Sequence, residues 1–134
     1  MIYRHLRIGR WEVDFYFAVD GYDIRRILNR LDHVGAPESV ILEAYEKMRR
    51  GFPNEGFTWS DERNFRAVVV VGAATRGGEF LDSLVHELGH LADHIALALG
   101  VDLDSEESKY ILGDTAREFI DVVCLLGCRH CNHR

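Results

Sequence analysis

One stretch of the chain carries the pattern H-E-x-x-H, at His86, Glu87 and His90. Histidines four residues apart project from the same face of a helix, so both imidazoles can reach one ion. Zinc held by three protein ligands keeps an open position for water and lowers the pKa of that water to about 7. Glu87 directly follows the first histidine, where a carboxylate can take the proton of the water without binding the metal. The motif therefore predicts two zinc ligands and a general base, and a third ligand must come from elsewhere.

A helix from Glu79 to Leu99 is predicted to present this motif. At helical pitch its apolar residues fall on one side, and the motif histidines fall on the other. Gly77 and Gly78 before this stretch and Gly100 after it are typical helix boundaries. The apolar residues expected to face the core are Leu81, Leu84, Val85, Leu88, Leu91, Ala92, Ile95 and Leu99.

The third ligand is sought on a second long helix, predicted over Ser105–Gly127. Because only a short link separates the two helices, the start of the second is expected to lie near the end of the first. Glu106 shares a face with Tyr110, whereas Glu107 points away from that face. We therefore predict Glu106 as the third zinc ligand and Tyr110 as a donor to the oxyanion of a tetrahedral intermediate.

His94 continues the histidine series of the first helix, and it is the alternative third ligand. On a straight helix it lies about 12 Å along the axis from His86, at ~1.5 Å per residue. The three imidazoles cannot comfortably share one ion at that separation. His94 is therefore predicted to be a solvated residue or a hydrogen-bonding partner at the rim of the cleft.

The segments around the two helices predict a single α+β domain over residues 1–127. Alternating apolar and polar residues predict a strand at Ile8–Val19, and the run of valines in Arg66–Gly72 favours a strand buried on both faces. Alternatively, Arg66–Gly72 forms a sheet edge on which an extended peptide can pair. The remaining predicted features are a helix Ile24–Val34 capped by Asp23, a helix Pro37–Arg50, a short strand Gly56–Trp59, and Asp104 or Ser105 as the cap of the second long helix.

The C-terminal tail, residues 128–134, is rich in cysteine and histidine. Cys128 and Cys131 form a C-x-x-C pair that can hold a metal together with Cys124, His130 or His133. The pair has no second C-x-x-C at a suitable spacing, so reduced thiols at the end of the last helix are the simpler interpretation. We therefore expect one zinc ion per chain, at the histidine helix.

The charge and hydropathy of the chain exclude other classes of partner. A net charge of −6 argues against a broad nucleic-acid-binding face. No apolar run is long enough to span a bilayer, and Glu12 and Asp14 interrupt the N-terminal stretch that would otherwise suggest a signal peptide. We expect a cytoplasmic protein with no membrane or nucleic-acid partner.

His86, Glu87 and His90, followed by a glutamate on the next helix, resemble the gluzincin branch of the zincin metallopeptidases. The chain as a whole is similar to short zincin-like proteins of bacteriophages and related mobile elements. The stretches that carry this similarity are RIGRWEVDFYFAVDGYD, RAVVVVG, the motif helix and EESKYILGDTARE.

The resemblance implies a minimal zincin fold, in which a small sheet packs against the motif helix and a second, ligand-bearing helix lies beside it. It implies His86, His90 and Glu106 as the zinc ligands, Glu87 as the base, and a peptide or protein substrate. Two other functions remain open. One is a zinc-binding structural or interaction protein of a phage or mobile element that has no turnover. The other is a zinc hydrolase that acts on a non-peptide amide or ester.

Overall fold

A computed structural model of the chain describes residues 1–51, 56–73 and 77–127. The described strands are β1 (Ile2–Ile8), β2 (Trp11–Val19), β3 (Gly56–Asp61) and β4 (Arg66–Gly72). The described helices are α1 (Ile24–His33), α2 (Glu38–Arg49), α3 (Gly77–Leu99), α4 (Glu106–Arg117) and α5 (Ile120–Gly127), with a 3-10 turn at Gly21–Asp23. The strands form one mixed sheet in the order β1-β2-β4-β3. The predicted α+β class is confirmed.

The centre of the sheet is the parallel pair of β2 and β4, and β1 and β3 add to it on either side as antiparallel neighbours. Alternate residues of β4 face opposite layers: Val69 and Val71 pack with α3 and α5, while Val68 and Val70 pack with α1 and α2. The strand Arg66–Gly72 is thus buried on both faces, as its valines predicted. The alternative that this strand is a sheet edge is wrong, because β3 lies outside it.

The predicted strand Ile8–Val19 is wrong at its start, because the chain reverses within it. Ile8 ends β1 and pairs with Trp11, the first residue of β2. Gly9 in the turn has φ +59, a backbone conformation that favours glycine. Most residues of β1 are exposed, so its alternation of apolar and polar residues is weak. The sequence pattern therefore did not separate the two strands.

The second long helix is also interrupted. The amides of Glu118 and Phe119 donate to carbonyls three residues earlier, at 3.2 and 3.1 Å, so the chain tightens and α4 ends. The break allows the Phe119 ring to pack against Phe15 and Phe17, with ring centroids 4.6 and 5.1 Å apart. Ser105 caps α4 by accepting a hydrogen bond from the amide of Ser108.

Asp23 occupies the N-cap position of α1, as predicted, but its side chain makes no capping hydrogen bond to that helix. Instead, Asp20 accepts from the amide of Tyr22 at 2.9 Å, and Asp23 accepts from the amide of Asp20 at 3.1 Å. The two carboxylates therefore close the 3-10 turn that precedes the helix. The helix predicted at Pro37–Arg50 and the strand predicted at Gly56–Trp59 are confirmed in type, as α2 and β3.

No helix in the described ranges combines the length and apolar content needed to cross a membrane. The tail at residues 128–134 and its predicted cysteine pair lie outside the described residues.

Candidate metal centre

The side of α3 that carries the motif forms one wall of a cavity of about 510 Å³. His86, Glu87, His90 and His94 all line it. The opposite walls come from α2 and from the edge strand β3. The structure therefore brings the predicted base and the two predicted histidine ligands into one concave site.

The burial of α3 explains which residues face this cavity. Five of the eight apolar residues predicted to face the core are buried, but Leu81, Val85 and Leu99 are 46, 49 and 57% exposed. The prediction is wrong for these three because the buried face is centred nearer to Leu84 and Leu91. Because the buried face of α3 is shifted around the helix axis from the predicted one, Glu87 lies at the margin of the core and not on the solvent side.

The two motif histidines point their Nε2 atoms at each other. The distance between the atoms is 3.1 Å, and the rings stand at 90° with centroids 4.6 Å apart. Two nitrogens bound tetrahedrally to one zinc at its usual bond length lie about 3.3 Å apart. The distance between the two nitrogens is therefore close to that of two ligands of one ion.

Glu87 is 3% exposed, and the edge strand holds its carboxylate in place. The hydroxyl of Thr58 donates to Glu87 Oε2 at 2.7 Å and lies 3.2 Å from the Glu87 backbone carbonyl oxygen. A carboxylate that is buried and held by one hydrogen bond has a fixed direction and a free oxygen for a second partner. This arrangement suits a base that must meet a water molecule at a defined point.

His94 also contacts the edge strand β3, at the residue two positions after Thr58. Its Nδ1 lies 2.7 Å from the hydroxyl of Ser60. The prediction that His94 is a hydrogen-bonding partner at the rim is confirmed by this contact. Thr58 and Ser60 thus connect β3 to α3 at two points.

Gly56 allows β3 to approach α3 and β4 closely. A Cβ added at this position would lie 2.0 Å from the carbonyl oxygen of Val70 and 3.1 Å from the Glu87 Cγ atom. No side chain fits there without moving the backbone of the central strand. Glycine at position 56 is therefore required for the wall that holds Glu87.

We expect Gly56→Ala to lower the free energy of unfolding by about 2 to 4 kcal/mol, because the added methyl overpacks a buried site. Urea denaturation would measure the change. Gly113→Ala is the matched control, since a Cβ on that helical glycine meets nothing within 4 Å. The control is expected to stabilise the protein by about 0.5 to 1 kcal/mol. Equal stability of Gly56→Ala and the wild type would contradict this packing.

The structure does not bring Glu106 to the histidines. Glu106 is exposed in the first turn of α4 and does not line the cavity. Tyr110 is 65% exposed and lines a different cavity, together with Leu6 and Ile8 of β1. Within the described ranges, no three histidine, cysteine, aspartate or glutamate side chains are placed to hold one metal ion.

Sequence reasoning missed several side chains of the cavity. Glu43 and Lys47 come from α2, and Asp82 comes from α3, one turn before His86. The spacing of Glu43 and Lys47 places them on one helical face, but nothing in the sequence indicated that α2 would lie across from α3. The sequence could have indicated Thr58, because Gly56, Thr58 and Ser60 are small or polar residues at alternate positions and so lie on one face of the strand.

We compared the chain with protein-family models, with curated proteins and with solved structures, and none of the three comparisons gave a significant match. The interpretation of the site consequently depends on its geometry and on the residues themselves.

Proposed function

We propose that this protein is a zinc-dependent hydrolase that cleaves peptide bonds in the cavity between α3 and β3. His86 and His90 would hold the ion, and Glu87 would act as general base. The observation that carries the proposal is the 3.1 Å approach of the two Nε2 atoms beside a buried carboxylate in one cavity. A chance pair of surface histidines would have no such carboxylate held between a core helix and an edge strand.

A zinc ion at this position would lower the pKa of a coordinated water to about 7 and polarise the substrate carbonyl. Glu87 then has two tasks. Its carboxylate accepts a proton from the attacking water and later passes that proton to the leaving amine. Thr58 holds one carboxylate oxygen, so the other oxygen is directed consistently through both transfers.

The edge strand supports a peptide as the substrate. Among the described strands, β3 pairs with β4 alone, so it forms an outer edge of the described sheet. An extended peptide can pair with such an edge and lie along the cavity past Glu87. A non-peptide amide or ester could not form this strand pairing with β3.

Glu106 remains our proposed third ligand. Its side chain is exposed and makes no described hydrogen bond or ion pair, so it is free to change rotamer. Glu43 competes for this role because it already lines the cavity. Asp82 also lines the cavity, but it precedes His90 by eight residues, about 12 Å along the helix axis at ~1.5 Å per residue.

A specific observation favours one second candidate function. The described residues place no third metal ligand at the histidines, and Tyr110 lies at a different cavity. A protein that binds zinc for structure or for a partner needs neither turnover nor an oxyanion donor. The non-catalytic function is therefore the alternative to be tested directly.

Removing the metal tests the proposal. We expect zinc-loaded protein to cleave members of a mixed peptide library, and we expect chelator treatment to abolish cleavage until zinc is restored. Mass spectrometry of the library would measure both states. Cleavage that survives complete zinc removal would contradict the proposed mechanism. Bound zinc without any cleavage would favour the non-catalytic alternative.

A further inference from the structure

A second cavity, of about 540 Å³, lies between α1 and the first two strands. Its lining residues are Tyr3, Tyr16, Arg26, Asn29, Arg30 and His33. None of them lines the histidine cavity, so the two sites are separate. The chain is acidic overall, yet within the described residues no carboxylate lines this second cavity.

Asp14 does not line this cavity, but it hydrogen-bonds two residues that do, Tyr3 and Arg30. Its side chain is only 4% exposed, and its carboxylate accepts hydrogen bonds from the Tyr3 hydroxyl at 2.5 Å and from Arg30 Nε at 2.8 Å. His5 Nδ1 is a third partner at 3.1 Å. Burial alone raises the pKa of Asp14, but the hydrogen bonds from Tyr3, Arg30 and His5 outweigh it and hold the pKa below its ordinary value. Asp14 is therefore a buried anion that fixes Arg30.

The guanidinium of Arg30 has N–H donors that Asp14 does not use. Asp14 takes its Nε–H, and the two terminal amino groups make no described hydrogen bond. Arg26 lies one turn earlier on the same face of α1 and forms no ion pair among the described residues. His33 lies three residues after Arg30 and can add a further N–H donor. The cavity thus presents the guanidinium of Arg30, which Asp14 holds in place, the exposed guanidinium of Arg26, and further N–H donors.

We propose that this cavity binds the phosphate group of a small phosphorylated molecule, with Arg26 and Arg30 contacting the phosphate. A planar guanidinium donates two parallel hydrogen bonds to phosphate oxygens, and Arg26 adds a positive charge that no described ion pair balances, whereas Asp14 balances the charge of Arg30. The partly exposed ring of Tyr3 lies beside these groups and packs on the buried ring of Tyr16, with centroids 5.1 Å apart. The cavity is larger than a phosphate ion, so the exposed part of the Tyr3 ring is left to contact the organic part of the ligand.

Titration with adenosine 5′-monophosphate, followed by amide NMR shifts, tests this site. We expect saturable shifts of α1 resonances, with a dissociation constant of about 1 mM or tighter, and we expect no saturable binding of adenosine. Arg26→Gln should weaken binding at least about tenfold, because hydrogen bonds to charged groups are the strong ones. Arg26 is exposed and has no described partner, so this variant should fold normally.

Arg25→Gln is the matched control. Arg25 is the preceding residue of the same helix and is also exposed, but it does not line the cavity. It carries the same charge, so its removal reports only the general attraction between the helix and an anion. Equal weakening by the two variants would overturn the site, and so would the absence of saturation up to about 10 mM. Neither result depends on whether the histidine cavity binds zinc.

Discussion

Glu87→Gln is expected to abolish peptide cleavage while leaving zinc bound. Glutamine keeps the size of the side chain and can still accept the hydrogen bond from Thr58 through its amide oxygen. It cannot accept a proton at neutral pH, so the loss of general base catalysis should lower kcat by about 10² to 10⁴. Initial rates on a cleaved library peptide, together with zinc content by atomic absorption, would measure both effects.

The matched control for this prediction is Glu107→Gln. Glu107 is exposed on α4 and lines the cavity beside β1, away from the histidines. The same change of charge there should leave the rate within about twofold of the wild type, as for most surface substitutions. If Glu87→Gln keeps both its zinc and its full rate, Glu87 is not the base and the proposed mechanism is wrong.

His86→Ala is expected to remove the zinc ion altogether. Two ligands from one helix act together, and the loss of either leaves too few donors for tight binding. Wild-type protein should hold one zinc per chain and should gain stability when zinc is added. At a free zinc concentration 100-fold above the dissociation constant, this gain is about 2.7 kcal/mol. The variant should show neither the ion nor the gain, by metal analysis and by thermal unfolding.

His94→Ala is the control for this second prediction, because His94 lines the same cavity and is held by Ser60. It should keep the ion. Retention of one zinc per chain in His86→Ala would place the metal elsewhere. Two ions in the wild type would implicate the cysteines at positions 128 and 131.

The same metal analysis identifies the third ligand. Glu106→Gln should weaken zinc binding by at least about tenfold, the lower bound seen for groups that only support a ligand. Glu107→Gln, its neighbour in the same helical turn, should have no effect. A loss caused by Glu43→Gln in place of Glu106→Gln would show that α2 completes the site.

The sequence predicted the parts of the fold that a local pattern determines. The strand Arg66–Gly72 was predicted with its observed bounds, because a run of valines between polar residues has few alternatives. The motif helix was predicted to within two residues at its start. Its histidines and Glu87 were assigned to one site from spacing alone, and all three line one cavity.

The features that the sequence missed depend on partners distant in the chain. The break before Ile120 coincides with the packing of Phe119 against β2, and the periodicity of the helix itself does not encode that contact. The position of Glu106 depends on how α4 crosses α3, which a helical face alone does not determine. For the same reason, Glu43 and Lys47 could not be assigned to the site from the sequence.

The parallel pairing of β2 with β4 has a consequence for how the protein reaches its native state. Antiparallel neighbours can pair progressively from the turn that joins them, whereas β2 and β4 must close a long loop that contains α1, α2 and β3. Closing this loop lowers the entropy of the chain before the contacts between the strands form, and it therefore slows folding. The edge strand that holds Glu87 attaches to β4, so β4 supports both the central pair and the β3 wall of the histidine cavity. An N-terminal fragment that ends before β4 consequently lacks the sheet centre and this wall together.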